Sequence, residues 1–264
     1  MRIALFTLDS AISAAAVAAF VAAHAAEVVL IGRSLPFRPA AGGPLRQAWR
    51  HLRRSGPRLL PYLWVNYALP RALGRRHGIK AVAAAHGIPL LDLADVNDQA
   101  TAAAIRAARP DVLVSCHFDQ IFSAATLALA PHGGINLHPS LLPRHRGPVP
   151  AIWALAEEPP AFGVTIHRLV PRIDAGAILA QRGLDLPPGT TASAAARALH
   201  RAGVPLLTQA LAALSAGTAP SLAAEPLPYC PFPPATLLRS LAARRRRLVD
   251  AADLRIALSG DQND

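Results

Sequence analysis

The chain has 264 residues, of which 52% are hydrophobic, so it can bury the core of one large domain and is not expected to be disordered. Its two cysteines, Cys116 and Cys230, lie far apart without ligand-like spacing, which argues against a disulfide framework or a zinc site. The net charge of +11 is concentrated in one stretch, because residues 28–91 contain ten arginines and Lys80 but no aspartate or glutamate.

The N-terminal segment predicts a strand, a helix and a second strand. The runs RIALFTL and EVVLIG are β-like, and the alanine-rich segment between them favours a helix. Asp9 interrupts the apolar run that an export signal would need, and Asp9–Ser10 is a suitable N-cap for the helix. We therefore expect this segment to belong to the fold and the protein to be cytoplasmic.

Further along the chain, strands are predicted at GIPLLDL, DVLVSCHF, GGINLH, GVTIHRLV and AILAQRGLDL, with helical patterns between several of them. Near-continuous apolar strands separated by helices indicate an α/β fold with a Rossmann-like, mostly parallel sheet and helices on both faces. We predict a main domain over residues 1–216 that carries an arginine- and aromatic-rich insertion at 34–78. Residues 217–264 are predicted to form a proline-rich, basic tail that includes the arginine run 244–247.

The stretch GGINLHPS delivers two polar side chains to the end of a predicted strand. Asn136 and His138 are separated by one residue, so both project to the same face of that strand. In open parallel sheets, ligands bind beyond the carboxyl ends of the strands. We therefore expect both side chains to face a ligand crevice, with Pro139 and Pro143 stiffening the loop that follows.

The segment NLHPSLLPRHRG, followed by GVTIHRLVPRIDAGAILAQ, resembles the folate-dependent formyltransferases. This family includes glycinamide ribonucleotide formyltransferase, methionyl-tRNA formyltransferase and the sugar N-formyltransferases. Its shared pattern is Asn-x-His-x-Ser-Leu-Leu-Pro-x-x-x-Gly with a later aspartate, here Asp174, 36 residues after His138. The resemblance covers residues 81–186 well, the first strand weakly and residues 34–78 not at all.

The resemblance implies that Asn136, His138 and Asp174 are the catalytic residues of a formyltransferase that takes its formyl group from 10-formyltetrahydrofolate and uses no metal. Asn136 would donate a hydrogen bond to the formyl oxygen as negative charge develops there. His138 would stabilise that charge or relay a proton, and Asp174 would orient the imidazole and favour its charged form.

By the same resemblance, the pterin side of the folate pocket would be formed by Phe118, Ile121 and Phe122, and the segment Val170–Ile173 would offer backbone groups to the pterin edge. The alternative is that the three apolar side chains belong to the ordinary core.

The loop after His138 is also assigned by resemblance. Its substrate-loop residues are Ser140, Pro143 and Gly147. The Leu142–Pro143 peptide is expected to be cis, as in the family loop. His145 and His167, which lie outside the motif, are expected at surface or supporting positions.

The acceptor is expected to be a primary amine of a small molecule, because GVTIHRLVPRIDAGAILAQ and the segment RGPVPAIWAL look more like the nucleotide-sugar members of the family. An amino sugar, nucleotide- or lipid-linked, is the favoured substrate. Methionyl-tRNA is the alternative, although the tRNA enzymes carry a further C-terminal barrel and fewer than fifty residues follow the last predicted helix here. Nucleic acid is thus not the expected partner. A non-catalytic relative that binds folate or a protein partner is the alternative of another class.

The basic insertion admits three interpretations. Residues 45–76 mix arginines with aromatic side chains, which fits peripheral contact with an anionic membrane, and the apolar run Leu59–Leu69 is too short to span one. The segment can instead be a helical lid or dimer contact that buries its aromatic side chains and leaves arginines in solvent. As a third possibility, its arginines bind a substrate pyrophosphate or tRNA.

Overall fold

The computed structural model of the protein describes residues 1–35, 43–72 and 78–259. Parts of the predicted insertion (36–42 and 73–77) and the end of the predicted tail (260–264) lie outside the described residues.

The protein is built on a seven-stranded sheet in the order β3-β2-β1-β4-β5-β6-β7. Strands β1 to β5 are parallel to one another, whereas β6 is antiparallel to β5 and β7 is antiparallel to β6. The strands are β1 (Ile3–Thr7), β2 (Val28–Ser34), β3 (Leu90–Leu93), β4 (Val112–Cys116), β5 (Gly134–His138), β6 (Gly163–Arg168) and β7 (Ile178–Gly183). Each run predicted as a strand therefore forms one, and the predicted mostly parallel sheet is confirmed.

Helices cover both faces of this sheet. Those along the chain are α1 (Ala14–Ala23), α2 (Gly43–Ser55), α3 (Leu60–Leu63), α4 (Leu69–Ala72), α5 (Ile79–Ala85), α6 (Gln99–Ala108), α7 (Ala124–Leu127), α8 (Pro150–Ala156), α9 (Ala192–Ser215), α10 (Ala235–Ala243) and α11 (Ala251–Ser259). Apolar residues of α1, α5 and α9 pack in one core cluster with Ile135 and Leu137, whereas α6 and α7 pack in another with Phe6 and Leu113. The two faces of the strands are thus buried by different helices, as an α/β architecture requires.

The described part of the insertion is packed against the domain. Leu59 and Tyr62 are buried in a cluster that also contains Ile152 of α8 and Leu199 of α9. One turn of π-helix, Trp64–Ala68, follows α3. Trp64 is 50% exposed and Trp49 is 62% exposed, and the arginine side chains of α2 are exposed as well. The described part of the insertion therefore buries Tyr62 and partly buries Tyr67, whereas Trp49, Trp64 and the arginines of α2 are exposed. The lid interpretation, which buries the aromatic side chains, is met by the tyrosines alone, and the role of the segment stays a prediction.

The predicted Asp9–Ser10 helix cap is wrong. Helix α1 begins at Ala14, after an N-cap residue that makes no side-chain capping bond. The Asp9 carboxylate instead accepts from the Ile79 N–H at 3.0 Å and pairs with Arg33 at 3.0 Å. A charged partner and the start of a second helix compete successfully for this carboxylate, because both favour negative charge there.

The predicted tail is tied back onto the domain by backbone and side-chain bonds. The Trp153 indole N–H donates to the Pro231 carbonyl at 2.8 Å, and the Cys230 N–H donates to the Arg146 carbonyl at 2.7 Å. In the arginine run, Arg244 pairs with Glu158 at 2.6 Å, and Arg246 donates to the Leu155 and Glu157 carbonyls at the end of α8. The division of the chain at residue 216 stays a prediction.

Two further observations bear on the sequence-based expectations. Cys116 is buried in β4, and burial raises the pKa of its thiol to about 12, so it is an unreactive core residue. Within the described ranges, none of the helices combines the length and hydropathy needed to cross a bilayer.

Gly203 in α9 sets how closely that helix approaches the sheet. A methyl group at this position would lie 2.6 Å from Leu137 Cδ1 and 2.9 Å from Val164 Cγ2. We expect Gly203→Ala to lower the free energy of unfolding by about 1–3 kcal/mol, because this overpacking outweighs the helix propensity that alanine adds. Urea unfolding followed by circular dichroism measures the change.

The matched control is Gly183→Ala, since Gly183 has open space where its methyl group would lie. This variant is expected to unfold within about 0.5 kcal/mol of the wild type. A Gly203→Ala protein as stable as the wild type would contradict the packing described here.

Candidate active site

A cavity of about 370 Å³ opens at the carboxyl ends of β4 and β5. Its wall includes the loop after β4, the strand residues Asn136 and His138, and Asp174 in the loop between β6 and β7. The insertion contributes Tyr62 and Tyr67, helix α9 contributes Ala196 and His200, and the tail contributes Tyr229. The cavity therefore lies where sheet topology predicts a ligand crevice.

Asn136 is held by the register between β5 and β6. It lies directly opposite His167 in the antiparallel pair, which brings the two side chains together. His167 donates from Nδ1 to the Arg168 carbonyl at 2.8 Å, so its Nε2 is free to accept from Asn136 Nδ2 at 3.1 Å. This contact identifies which end of the Asn136 side-chain amide is the nitrogen. The second N–H of that nitrogen stays available to a ligand.

His138 lies at the end of β5 and is 4% exposed. Its Nε2 donates to the His145 carbonyl at 3.2 Å, and its Nδ1 lies 3.6 Å from the Asp174 carboxylate. Burial lowers the pKa of His138 below its usual 6.5, an effect that the negative charge of Asp174 opposes. The imidazole is therefore neutral at pH 7 and has a basic nitrogen next to a carboxylate that would stabilise a captured proton.

Asp174 is a buried carboxylate next to one backbone donor, the Gly147 N–H, and two imidazoles, those of His138 and His167. Burial alone would raise its pKa, but His138, His167 and the Gly147 N–H together lower it to about 2. The Gly147 N–H donates to Asp174 Oδ2 at 2.9 Å. Gly147 has φ +135°, and a side chain there would collide with the Cys230 carbonyl oxygen, so this donor position requires glycine.

Arg146, which the sequence analysis did not single out, holds the backbone around Asp174. Its 5%-exposed guanidinium donates to the carbonyls of Ile173, Asp174 and Leu227. The aspartate has φ +45°, a left-handed conformation that costs free energy for a residue with a side chain, and these bonds stabilise it. Arg146 directly precedes the motif residue Gly147 in the sequence. Its position was a signal that could have indicated a role in the site, because a buried guanidinium needs several acceptors.

The residues predicted for the folate pocket all reach the cavity wall: Phe118, Ile121, Phe122, Val170 and Ile173. They differ in exposure. Ile121 is 50% exposed and Val170 36%, whereas Phe122 is buried and packs edge-to-face against Phe6 with ring centroids 5.0 Å apart. Phe122 thus belongs largely to the core behind the wall, and the others form what we call the apolar end of the cavity (Phe118, Ile121, Val170 and Ile173).

Of the three predicted loop residues, Gly147 lines the cavity, and Ser140 and Pro143 shape the loop behind it. Ser140 donates from Oγ to the Arg144 carbonyl at 2.9 Å, and its own carbonyl accepts from Thr165 Oγ1 at 2.6 Å. The Leu142–Pro143 peptide is cis, as predicted.

Two predicted supporting histidines are both buried. His167 contacts Asn136 as described, and His145 donates from Nε2 to the Glu157 carboxylate at 3.0 Å. His167 therefore has a direct contact with a predicted catalytic residue, which the sequence did not indicate because strand register is not visible in it.

In this mostly parallel sheet, strand β5 brings an asparagine and a histidine close to a buried aspartate, and these are the three residues that the formyltransferase resemblance singles out. The model of the formyl transferase family matches residues 70–211, more than half of the chain. The protein belongs to the formyl transferase family.

Individual relatives agree on the family and differ in their substrates. Over 143 residues the chain is 44% identical to methionyl-tRNA formyltransferase of Anaeromyxobacter dehalogenans (strain 2CP-C), covering 54% of this chain and 46% of that protein. The chain thus spans about half the length of the curated relatives it matches.

Solved structures share the fold at low sequence identity. A sugar N-formyltransferase from Shewanella sp FDAARGOS_354 matches with a TM-score of 0.56 and 20% identity, covering 98% of this chain and 87% of that chain. WlaRD, a sugar 3N-formyl transferase whose crystal structure was determined in the presence of dTDP and 5-N-formyl-THF, matches with a TM-score of 0.56 and 14% identity, covering 88% and 69%. At these identities the likeness shows the shared fold.

The carboxylate of Asp174 is expected to control the titration of His138. In the wild type, NMR titration of labelled histidine should give a His138 midpoint below 6.5, because burial disfavours the charged ring. Asp174→Asn removes the neighbouring negative charge that raises this pKa, so the midpoint should move further down.

Glu157→Gln is the matched control, because Glu157 raises the pKa of His145 and has no direct contact with His138. It should lower the His145 midpoint and should not lower that of His138, because a less charged His145 opposes protonation of His138 less. A His138 midpoint that stays or rises in Asp174→Asn would show that the two side chains are not coupled as described.

Proposed function

We propose that the protein transfers a formyl group from 10-formyltetrahydrofolate to a primary amine of a small molecule, with Asn136, His138 and Asp174 as its catalytic residues and without a metal. The observation that carries this proposal is the convergence of an amide N–H donor, a neutral buried imidazole and a buried carboxylate on one cavity. Membership of the formyl transferase family supports the same reaction.

In the proposed reaction the amine nitrogen bonds to the formyl carbon and the bond from that carbon to N10 of the folate breaks. Asn136 donates its second N–H to the formyl oxygen as negative charge develops, a contact worth about 3 kcal/mol of barrier in comparable sites. His138 takes the amine proton at Nδ1, where the Asp174 carboxylate 3.6 Å away stabilises the imidazolium. The proton then passes to N10, so that tetrahydrofolate leaves with this nitrogen as a neutral amine.

The apolar end of the cavity fits a flat heteroaromatic ring. Phe118 supplies an aromatic surface, Ile121 and Val170 are exposed to the cavity side, and the segment Val170–Ile173 has backbone groups for the ring edge. The presence of 5-N-formyl-THF in the WlaRD crystals, a protein with the same fold, supports a folate donor here.

The favoured acceptor is an amino sugar, nucleotide- or lipid-linked. It is supported by the motif segments that resemble sugar enzymes and by the sugar N-formyltransferases among the structures of the same fold. Methionyl-tRNA is the second candidate, because the 44% identity is with a methionyl-tRNA formyltransferase. A non-catalytic, folate-binding relative is the remaining alternative.

Two expectations about the setting of the enzyme stay predictions. One is a cytoplasmic location. The other is peripheral contact of residues 45–76 with anionic lipid, for which the exposed Trp49 and Trp64 beside exposed arginines are the relevant feature.

The proposal is tested by tetrahydrofolate release from 10-formyltetrahydrofolate with a panel of amines: 3-amino and 4-amino nucleotide sugars, a lipid-linked amino sugar and methionyl-tRNA. Turnover is expected with an amino sugar. His138→Ala should reduce kcat by about 10²–10⁴-fold and Asn136→Ala by about 10²–10³-fold.

His86→Ala is the control for the histidine variant, because His86 lies at the exposed end of α5, remote from the residues that line the cavity. Turnover with methionyl-tRNA alone would identify methionyl-tRNA, the second candidate, as the acceptor in place of an amino sugar. Folate binding without turnover of any amine would favour the non-catalytic alternative, and turnover that survives His138→Ala would remove the proposed catalytic role.

A further inference from the structure

The cavity has a second polar group that the proposed chemistry does not use. His200 of α9 lines the cavity and is 2% exposed. Its Nδ1 donates to the Ala196 carbonyl one turn earlier in the helix, at 2.7 Å, which fixes the proton on Nδ1 because a carbonyl can only accept. Its Nε2 is then an acceptor on the opposite side of the ring, buried and without a hydrogen-bond partner.

His117, in the loop after β4, lies next to His200 with ring centroids 5.2 Å apart and the ring planes tilted by 50°. It has φ +54°, and its ring is held at both nitrogens: Nδ1 lies 2.9 Å from Ser10 Oγ and 2.8 Å from Ser13 Oγ, and Nε2 lies 3.2 Å from the Tyr67 hydroxyl. Segments from four parts of the chain therefore fix one imidazole against the cavity. We call Tyr67, His117 and His200 the histidine–tyrosine end.

An unsatisfied buried acceptor costs about 1–3 kcal/mol unless a ligand or water supplies the missing donor. The rest of the polar groups at this end are satisfied within the protein, and only His200 Nε2 lacks a partner among those described. Because His200 lines the cavity, a ligand that donates a hydrogen bond to this atom would remove that cost.

The charges around the cavity indicate what kind of donor fits. Among the described residues, the charged side chains that line it are two aspartates, Asp119 and Asp174. Burial lowers the pKa of His200 to about 4 and that of His117 well below 6.5, so both rings are neutral at pH 7. A chain with a net charge of +11 thus encloses a cavity of negative character, which suits an amine with hydroxyl groups better than a phosphate.

We infer that the histidine–tyrosine end binds the acceptor amine, and that His200 Nε2 selects a hydroxyl-bearing, sugar-like amine by accepting a hydrogen bond from one of its hydroxyl groups. The inference rests on the proposed function, since it assigns the acceptor to the end of the cavity that the folate does not occupy. A phosphate carried by the substrate remains outside this end. His200 is then a specificity-determining residue, and Tyr67 gives the insertion a part in building the site.

The test compares two ring-sized amines, glucosamine and cyclohexylamine, which differ in their hydroxyl groups. Their dissociation constants are measured by NMR chemical-shift titration in the presence of tetrahydrofolate, with no turnover required. The quantity of interest is the ratio of the two constants in each protein variant, because differences in amine basicity cancel when variants are compared.

The wild type is expected to prefer glucosamine, and His200→Phe should reduce this preference by roughly fivefold to tenfold, the loss of one hydrogen bond. His200→Gln, whose amide oxygen can accept, should retain part of it. Binding of 5-formyltetrahydrofolate should be unchanged in both variants, since the folate is assigned to the apolar end. Should His200→Phe fail to fold, the same ratio in His200→Leu decides.

A preference that is unchanged in the variant without the acceptor, or a wild type that does not prefer glucosamine, would overturn the inference. The two proposals fail separately. Loss of the glucosamine preference on removing His200, together with no formyl transfer to any amine, would keep this binding site and reject the enzymatic function. Formyl transfer that depends on His138, together with a glucosamine preference that is the same in the wild type and the His200 variants, would keep the enzymatic function and reject this binding site.

Discussion

A carboxylate can stay ionised inside a protein only if donors and positive charge replace the water it has lost, and the site around Asp174 is arranged by that requirement. The Gly147 N–H donates to the carboxylate, and the imidazoles of His138 and His167 lie 3.6 Å from it, so that a proton captured by His138 is stabilised there. These groups come from the loop after β5, from β5 itself and from β6. Arg146 fixes the backbone on which the carboxylate is carried. The loop after β5 and the pairing of β5 with β6 thus bring three groups to this one carboxylate.

The cavity next to Asp174 is built from segments that are distant in sequence. The insertion, helix α9 and the tail each contribute wall residues, in Tyr67, His200 and Tyr229 respectively. The insertion is thus a structural part of the cavity, even though the family match begins only at residue 70, near the end of the insertion. Among the described residues of the insertion, Trp49, Trp64 and the arginines of α2 are exposed.

Much of the fold could be predicted from the sequence because the relevant signals are local. The apolar runs predicted the strands of the sheet, and the spacing of Asn136 and His138 predicted that both side chains face the cavity. The contact of His167 with Asn136 could not be predicted, because it depends on the antiparallel register of β5 and β6. Asp9 shows the same limit: its residue type favoured a helix cap, but tertiary neighbours determined its partners. The meeting of Tyr67, His117 and His200 is also purely tertiary.

The central claim is that Asn136 and His138 act on a formyl group brought by a folate at the apolar end of the cavity. It is tested most directly by a crystal structure with a stable folate analogue that carries its formyl group on N10, such as 10-formyl-5,8-dideazafolate. The account predicts that the ring lies between Phe118 and the segment Val170–Ile173, with the formyl oxygen within hydrogen-bonding distance of Asn136 Nδ2. A ring bound against His117 and His200, or a formyl group remote from Asn136 and His138, would contradict it.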